Sequence, residues 1–575
     1  QLGPAQRPRF PQPLRRLVAA CAVLIAASCA RSKAVPSHRP VPVLQPQPPT
    51  KVLSLIATTD LHGHIEMLPL LAGYVGHIRR LRQADGGMLL LDAGDYLQGT
   101  LDSNQEEGRV VVAAYRKMGY DAVALGNHEF DFGPSGDTAP APHVDLFGAL
   151  RARVEEAGHP VLSINLLDTR TQQRPTWRGL GDSVLLEVAG IRVGLIGALT
   201  EETPKIVMPA YFEGLAVAPV APLLAARAAK LRAAGARVVV ALTHLGAECA
   251  RFDDPNDTSS CKSGSELERL VQSLPPESVD VVFGGHTHQA VAHRMHGVAV
   301  AQAYAYGRAF SRVDIRIPAE GAVQTVVHAP RDLCEKPGPC DGATYAGGRI
   351  TPDLALARLI APAQQRAAAR RDAAVGVEVE GTVRRSFDRP SDLGNLLADL
   401  LLEHAPDAQV ALMNGGGLRA DLPPGPLSYG ALFETMPFDN RVTRLTLSAE
   451  ELSMVLARHL GSGAHGILSI AGVRALARCE GSRLRVALRD AKGRTLPARA
   501  PVVIVTSDYL ATGGDELFLG LELATRMQID TETLLRDAFA ASLKKRARVR
   551  AEDPARWSTD RPRLVLPSAR PVHCP

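Results

Sequence analysis

Five short blocks of the sequence carry side chains able to hold metal ions. They read Asp60-Leu61-His62-Gly63-His64, Asp92-Ala93-Gly94-Asp95, Gly126-Asn127-His128-Glu129-Phe130-Asp131, Thr243-His244-Leu245-Gly246 and Gly284-Gly285-His286-Thr287-His288. Carboxylate, imidazole and amide oxygen together suit Mn²⁺, Zn²⁺ or iron, a harder set than thiolates alone would make. Any one of these histidines, taken singly, reads equally well as a solvated loop residue or a cap. Five blocks of one character, with glycine nearby to let the backbone turn sharply, read instead as a metal-binding constellation.

Such a set needs a scaffold that brings distant loops together. Each block follows a short apolar run, at 52–57, 88–91, 122–125, 238–242 and 279–283, with further runs at 161–164 and 193–196. Most are continuously apolar, the pattern of strands buried on both faces. Helical stretches such as 223–234, closed by Gly235, lie between several of them. In open α/β sheets, binding residues collect in the loops beyond the strands' carboxyl ends. An Ala-rich helix is expected over 351–372, followed by a second α/β region with strands at 410–413, 442–446 and 502–505 and helices at 393–403 and 449–459. The expected units are therefore 1–50, 51–350, 351–372, 373–550 and 551–575, the last Pro/Arg-rich and loosely packed.

Across 575 residues, 46% are hydrophobic and 22% charged, which excludes wholesale disorder and a polytopic membrane protein. A net charge of +5 is too small at this length to mark a nucleic-acid scaffold, so no nucleic-acid polymer is expected as partner, and no protein partner is read. Arg15 and Arg16 precede an apolar run at 17–27, too short to span a bilayer, and a Pro-rich stretch at 36–49. These read as a secretory signal and an extended tether, which implies a periplasmic or extracellular location. The ending Ile25-Ala26-Ala27-Ser28-Cys29 also resembles a bacterial lipobox, with Ala26 where Leu is usual; a lipid on Cys29 would attach the protein to a membrane. Cys249 with Cys261, and Cys334 with Cys340, are spaced for local disulfides, whereas Cys479 and Cys574 have no obvious partner.

In this order the five blocks resemble the calcineurin-like metallophosphoesterases. The resemblance implies a layered αββα domain holding two divalent ions. Asp60, His62, Asp95 and His288 would hold one; Asp95, Asn127, His244 and His286 would hold the other, with Asp95 bridging. It also implies that His128 is the catalytic histidine and Asp131 its dyad partner, fixing tautomer and orientation. Asp92, His64 and Glu66 fall outside the implied ligand set.

The second region carries Ser391-Asp392-Leu393-Gly394-Asn395-Leu396, Asn414-Gly415-Gly416-Gly417-Leu418-Arg419, Met436-Pro437-Phe438-Asp439-Asn440 and Ser507-Asp508-Tyr509-Leu510-Ala511-Thr512-Gly513-Gly514-Asp515. With the metal blocks, these resemble the secreted 5'-nucleotidase and UDP-sugar hydrolase family. The resemblance implies that Phe438 and Tyr509, a position where the family usually has Phe, stack on a base. Asp515 would accept from ribose hydroxyls, Asn440 would contact the base, and Arg419 would bind substrate oxygens. A further substrate arginine is implied near 385–389, where Arg389 is preferred and Arg385 competes. The implied activity is hydrolysis of nucleoside 5'-monophosphates, with UDP-sugars as additional substrates. A 2',3'-cyclic phosphodiesterase/3'-nucleotidase and a thiosulfohydrolase-type relative are the alternatives.

Overall fold

The computed structural model describes residues 50–136, 144–334, 340, 343–554 and 556–575. The expected signal, its Cys29 and the proline-rich tether lie outside the described residues. Among the described residues, no helix is long and apolar enough to cross a membrane.

The first domain is two sheets packed face to face between outer helices. One sheet orders its strands Gln324–Asp332, Ala309–Ile317, Lys51–Thr58, Gly86–Asp92, Ala122–Ala124, Val161–Leu162 and Leu180–Gly181. The other orders Ala290–Met295, Val298–Ala303, Val281–Phe283, Val238–His244, Ile191–Leu199 and Ser183–Val188. Lys51–Thr58, Gly86–Asp92 and Ala122–Ala124 are parallel neighbours, as are Ile191–Leu199, Val238–His244 and Val281–Phe283. Their carboxyl ends therefore open toward common sheet edges, where the ligand-type blocks lie.

The apolar runs are continuous because both faces of each strand are covered. Leu53, Leu55, Leu89 and Leu91 meet Val193, Leu195, Val238 and Val240 between the sheets. Ile56, Leu90 and Val123 face residues of the helices Leu68–Arg82 and Arg109–Met118. On the far side, Ile196, Val239 and Val282 face the helices Val220–Ala233 and Glu266–Ser273. This is the αββα layering expected from the sequence. The strands at Ala290–Met295, Val298–Ala303 and Ala309–Ile317 are additions, since His293, Gln302, Arg312 and Asp314 interrupt their apolar pattern.

The bridging helix spans Leu354–Arg371, and the Asp353 carboxylate accepts the N–H groups of Ala355 and Leu356 at its start. Leu356, Ile360 and Ala363 join the first domain's core, whereas Ala367 packs with Leu101 and with Phe433 of the second domain. Arg366 and Arg371 pair with Glu106 and Asp102 at 2.6 and 2.8 Å. The helix is thus fastened to the first domain, and the second hangs from its end.

The second domain is a mixed five-stranded sheet, ordered Leu468–Ala471, Val410–Asn414, Pro501–Ser507, Arg441–Ser448 and Met527–Leu534. The helices Asp392–His404 and Leu535–Lys544 cover one face, and Ala449–Ser462 covers the other. The 551–575 segment is not loosely packed. Trp557 and Val572 are buried, Leu564–Val565 pairs with Arg474–Glu480, and Cys574 is bonded to Cys479. Its anchors are single residues on irregular chain, so no periodicity announces them. Cys249–Cys261 and Cys334–Cys340 form the two local disulfides.

Candidate metal centre and substrate cleft

Asp60, His62, Asp95, His286 and His288 all adopt left-handed backbone, with φ from +49° to +74°. For residues other than glycine this conformation costs of order 1–3 kcal/mol each and persists only where the surroundings enforce it. Close packing supplies the enforcement. A side chain on Gly126 would collide with the Asp95 carboxylate, and one on Gly285 with Thr59 and His244.

The loops bring two donor clusters together, Asp60 with His62 and His288, and Asp95 with His244 and His286. Asp95 lies between them: its Oδ2 is 2.9 Å from His244 Nε2 and 3.8 Å from His62 Nε2. Asp60 Oδ1 is 3.6 Å from His288 Nε2 and 4.0 Å from His244 Nε2. The rings are aimed by backbone carbonyls. His62 Nδ1 donates to Gln98 O and His244 Nδ1 to Ala93 O, each at 2.8 Å, which turns both Nε2 atoms inward.

The electrostatics follow from burial and crowding. Burial pushes Asp60 up to about 7, with Asp95 adding and His244 opposing. At Asp95, burial pushes upward but is outweighed by His244, His128 and His62, which hold it well below the usual range. His244 shows the converse: burial opposes its charge, and Asp95 and Asp60 hold it up at about 10. Burial holds His62 and His288 well below the usual range and His286 at about 3.

These residues fit divalent cations. Imidazoles and carboxylates converge, with His62, His286 and His288 held neutral by burial, and the Oδ1 atom of Asn127 is buried beside them without a hydrogen-bond partner, an acceptor that a cation would satisfy. Asp92 is turned away, accepting from Thr58 Oγ1 at 2.6 Å and Tyr115 OH at 2.9 Å. His64 pairs with Glu66 at 2.8 Å.

His128 sits at the edge of the clusters and joins the two domains. Its Nδ1 donates to Asp131 Oδ2 at 2.5 Å, leaving Nε2 to accept from an Arg419 Nη2 at 2.5 Å. Its ring stacks against Phe438 with centroids 5.6 Å apart, and Arg419 also lies over Phe438. Tyr509 and Asp515 form a separate group, the tyrosine hydroxyl donating to Asp515 Oδ1 at 2.7 Å. Asn440 is half-buried beyond Phe438. Arg385 and Arg389 are both exposed. Burial pushes Tyr306, beside His62, upward, with Arg419 and then Arg385 opposing it.

Three supporting residues escape sequence reasoning. The buried Glu129 carboxylate accepts the N–H groups of Asp95, Tyr96, Leu97 and Gly126 at 2.9, 2.9, 3.2 and 2.6 Å, tying two ligand loops together. Its place within the third block was the available signal. Gln98 orients His62 through its carbonyl, and its side chain donates to Pro437 O across the domain boundary. Buried Arg536 donates to Met436 O, Phe438 O and Asp439, fixing the loop that presents Phe438. Nothing in the sequence near Gln98 or Arg536 marks these contacts.

Fold and donor set together define a calcineurin-like phosphoesterase with an appended substrate domain. The calcineurin-like phosphoesterase family model matches residues 53–290, and that of the 5'-nucleotidase C-terminal domain matches 360–521. The chain is 26% identical over 504 residues to Protein UshA of Yersinia enterocolitica, spanning 80% of this chain and 86% of that protein. A 5'-nucleotidase precursor from Thermus thermophilus shares its fold at TM-score 0.68 and 24% identity, covering 89% of this chain and 99% of that one. The sulfate thiohydrolase SoxB of the same species shares the fold at TM-score 0.66 and 15% identity, covering 91% and 98%. The chain belongs to the 5'-nucleotidase family and is a metal-dependent phosphoric ester hydrolase.

Proposed function

We propose that the protein removes phosphate from nucleoside 5'-monophosphates, with UDP-sugars as further substrates, outside the cytoplasm as a secreted or lipid-anchored enzyme. The observation that carries this reading is the convergence of two donor clusters on Asp95, facing Arg419 and Phe438 from the other domain. Asp60, His62, Asp95 and His288 would hold one cation; Asp95, Asn127, His244 and His286 would hold the second. Two such cations supply polarisation of phosphoryl oxygens and a water of lowered pKa near neutrality.

The chain's own groups do the rest. A phosphoryl oxygen placed between the domains meets the Arg419 fork, whose planar donors suit it. His128, held at Nδ1 by Asp131, takes up a proton at Nε2 and delivers it toward the ester oxygen as that oxygen departs. Phe438 and Tyr509 offer ring faces to a base, contributing about 1–3 kcal/mol per stack. Asp515 accepts from ribose hydroxyls and Asn440 contacts the base. Arg385 and Arg389, both exposed, are the candidates for a second substrate cation. Because these groups are divided between domains, the second domain swings about the end of the Leu354–Arg371 helix to admit substrate.

The test is phosphate release from AMP, before and after chelation and after adding back Mn²⁺ or Zn²⁺. 3'-AMP, cyclic 2',3'-AMP, UDP-glucose and a thiosulfonate ester serve as competing substrates. Preference for 3'-AMP, the cyclic ester or the thiosulfonate would overturn the reading.

A further inference from the structure

The turn at 304–308 carries the chain from one sheet of the first domain into the other, and strand pairing fixes where it lies. Val298–Ala303 runs parallel to Val281–Phe283, so it ends beside the loop that holds His286 and His288. Ala309–Ile317 runs antiparallel to Lys51–Thr58, so it begins beside the loop that holds Asp60 and His62. Tyr306 therefore stands between two ligand loops that are far apart in sequence.

Tyr306 adopts left-handed backbone, φ +62°, which a residue other than glycine keeps only where its surroundings enforce it. Its N–H donates to Asp60 O at 2.7 Å. Its ring meets that of His288 nearly edge-on, with centroids 5.2 Å apart and planes at 80°, and that of His62 at 5.7 Å and 56°. His64, itself paired with Glu66, packs against the same ring at 4.8 Å. The turn has no slack, since a side chain on Gly307 would collide with Met67. One residue thus touches Asp60, His62 and His288, the whole of one donor cluster. The other cluster is held by different means: His244 bonds to Ala93 O and packs on the His286 ring, and Asp95 accepts the His128 N–H. The Gln98 carbonyl decides which atom of His62 turns inward; an edge-to-face aromatic contact decides how the imidazole plane tilts.

We infer that Tyr306 is a positioning residue for one of the two cations, its ring setting the planes of His62 and His288 while its N–H anchors Asp60. The inference rests on the two-cation reading proposed above. Tyr306 acts through these three ligands.

The experiment measures Mn²⁺ bound to the full chain, by titration and by elemental analysis, for wild type, Tyr306→Leu and Tyr306→Phe. Leu keeps a Cβ without branching there, so it meets the left-handed backbone much as Tyr does and loses the ring. In Tyr306→Leu one Mn²⁺ is expected to bind about tenfold more weakly, the low end of the ~10- to 100-fold cost of losing a partner that orients a ligand, with the other within about threefold. At limiting Mn²⁺ an anomalous-scattering map should then keep the peak beside Asn127, His244 and His286 and lose the one beside His62 and His288. Tyr306→Phe should match wild type within about twofold, because the ring and not the hydroxyl makes these contacts. Melting curves show whether each variant folds, and Tyr306→Met, which fills the space without a ring plane, gives the same reading should Leu not fold. Equal weakening of both cations, no weakening of either, or loss of the same cation in Tyr306→Phe would overturn the inference alone. A wild type that binds fewer than two Mn²⁺ would remove the two-cation reading, and the inference with it.

Discussion

Replacing Glu129 by Gln is the sharpest perturbation of the metal-centre scaffold. Its carboxylate accepts four backbone N–H groups, Oε2 from Asp95 and Gly126 and Oε1 from Tyr96 and Leu97. Gln keeps one carbonyl oxygen and turns the other acceptor into an NH₂ that faces two donors. Two buried N–H groups then lack acceptors, at about 1–3 kcal/mol each, for a total of about 2–6 kcal/mol. The disturbed segment includes Asp95, which lies between the two donor clusters, so metal content should fall with stability. Urea denaturation of the metal-free protein gives the first quantity and elemental analysis after metal loading the second. A loss below about 0.5 kcal/mol with full metal content would refute the reasoning.

Other substitutions and conditions separate the parts of the site. His128→Ala should lower kcat for AMP by about 10²–10⁴ while elemental analysis shows metal retained, because the bond to Asp95 Oδ1 comes from the backbone N–H of residue 128. Tyr509→Ala should raise the KM for AMP by about 5- to 150-fold, from the ~1–3 kcal/mol of a base stack, with little change for p-nitrophenyl phosphate, which has no base. Chelation should abolish hydrolysis and lower the melting temperature, since the buried ligands lose their stabilising partner; Mn²⁺ or Zn²⁺ should restore both. Acid should weaken the second domain through His459, which burial, aided by Arg570, holds at about 3. The unfolded chain takes up this proton first, so stability is intact above about pH 6.5 and falls as pH drops toward the folded value, by about 2 kcal/mol at pH 5. Urea denaturation at pH 7 and 5, with His459→Gln as control, measures it.

The layered fold and the metal-type blocks were legible because the decisive signals are local. A strand buried on both faces writes itself as an apolar run, and the turn after it writes itself as Gly beside Asp or His. Relations between distant residues are not written that way. Glu129 matters for four N–H groups, three of them more than thirty residues away. Arg536 acts on carbonyls about a hundred residues upstream, where any side chain could stand. Cys479 and Cys574 pair across 95 residues of sequence.

The most direct test is an anomalous-scattering map from crystals of the active, Mn²⁺-loaded protein. Two peaks are expected on either side of the Asp95 carboxylate, one contacting His62 and His288, the other Asn127, His244 and His286. A single peak, or two peaks that share no protein ligand, would contradict the shared-carboxylate centre.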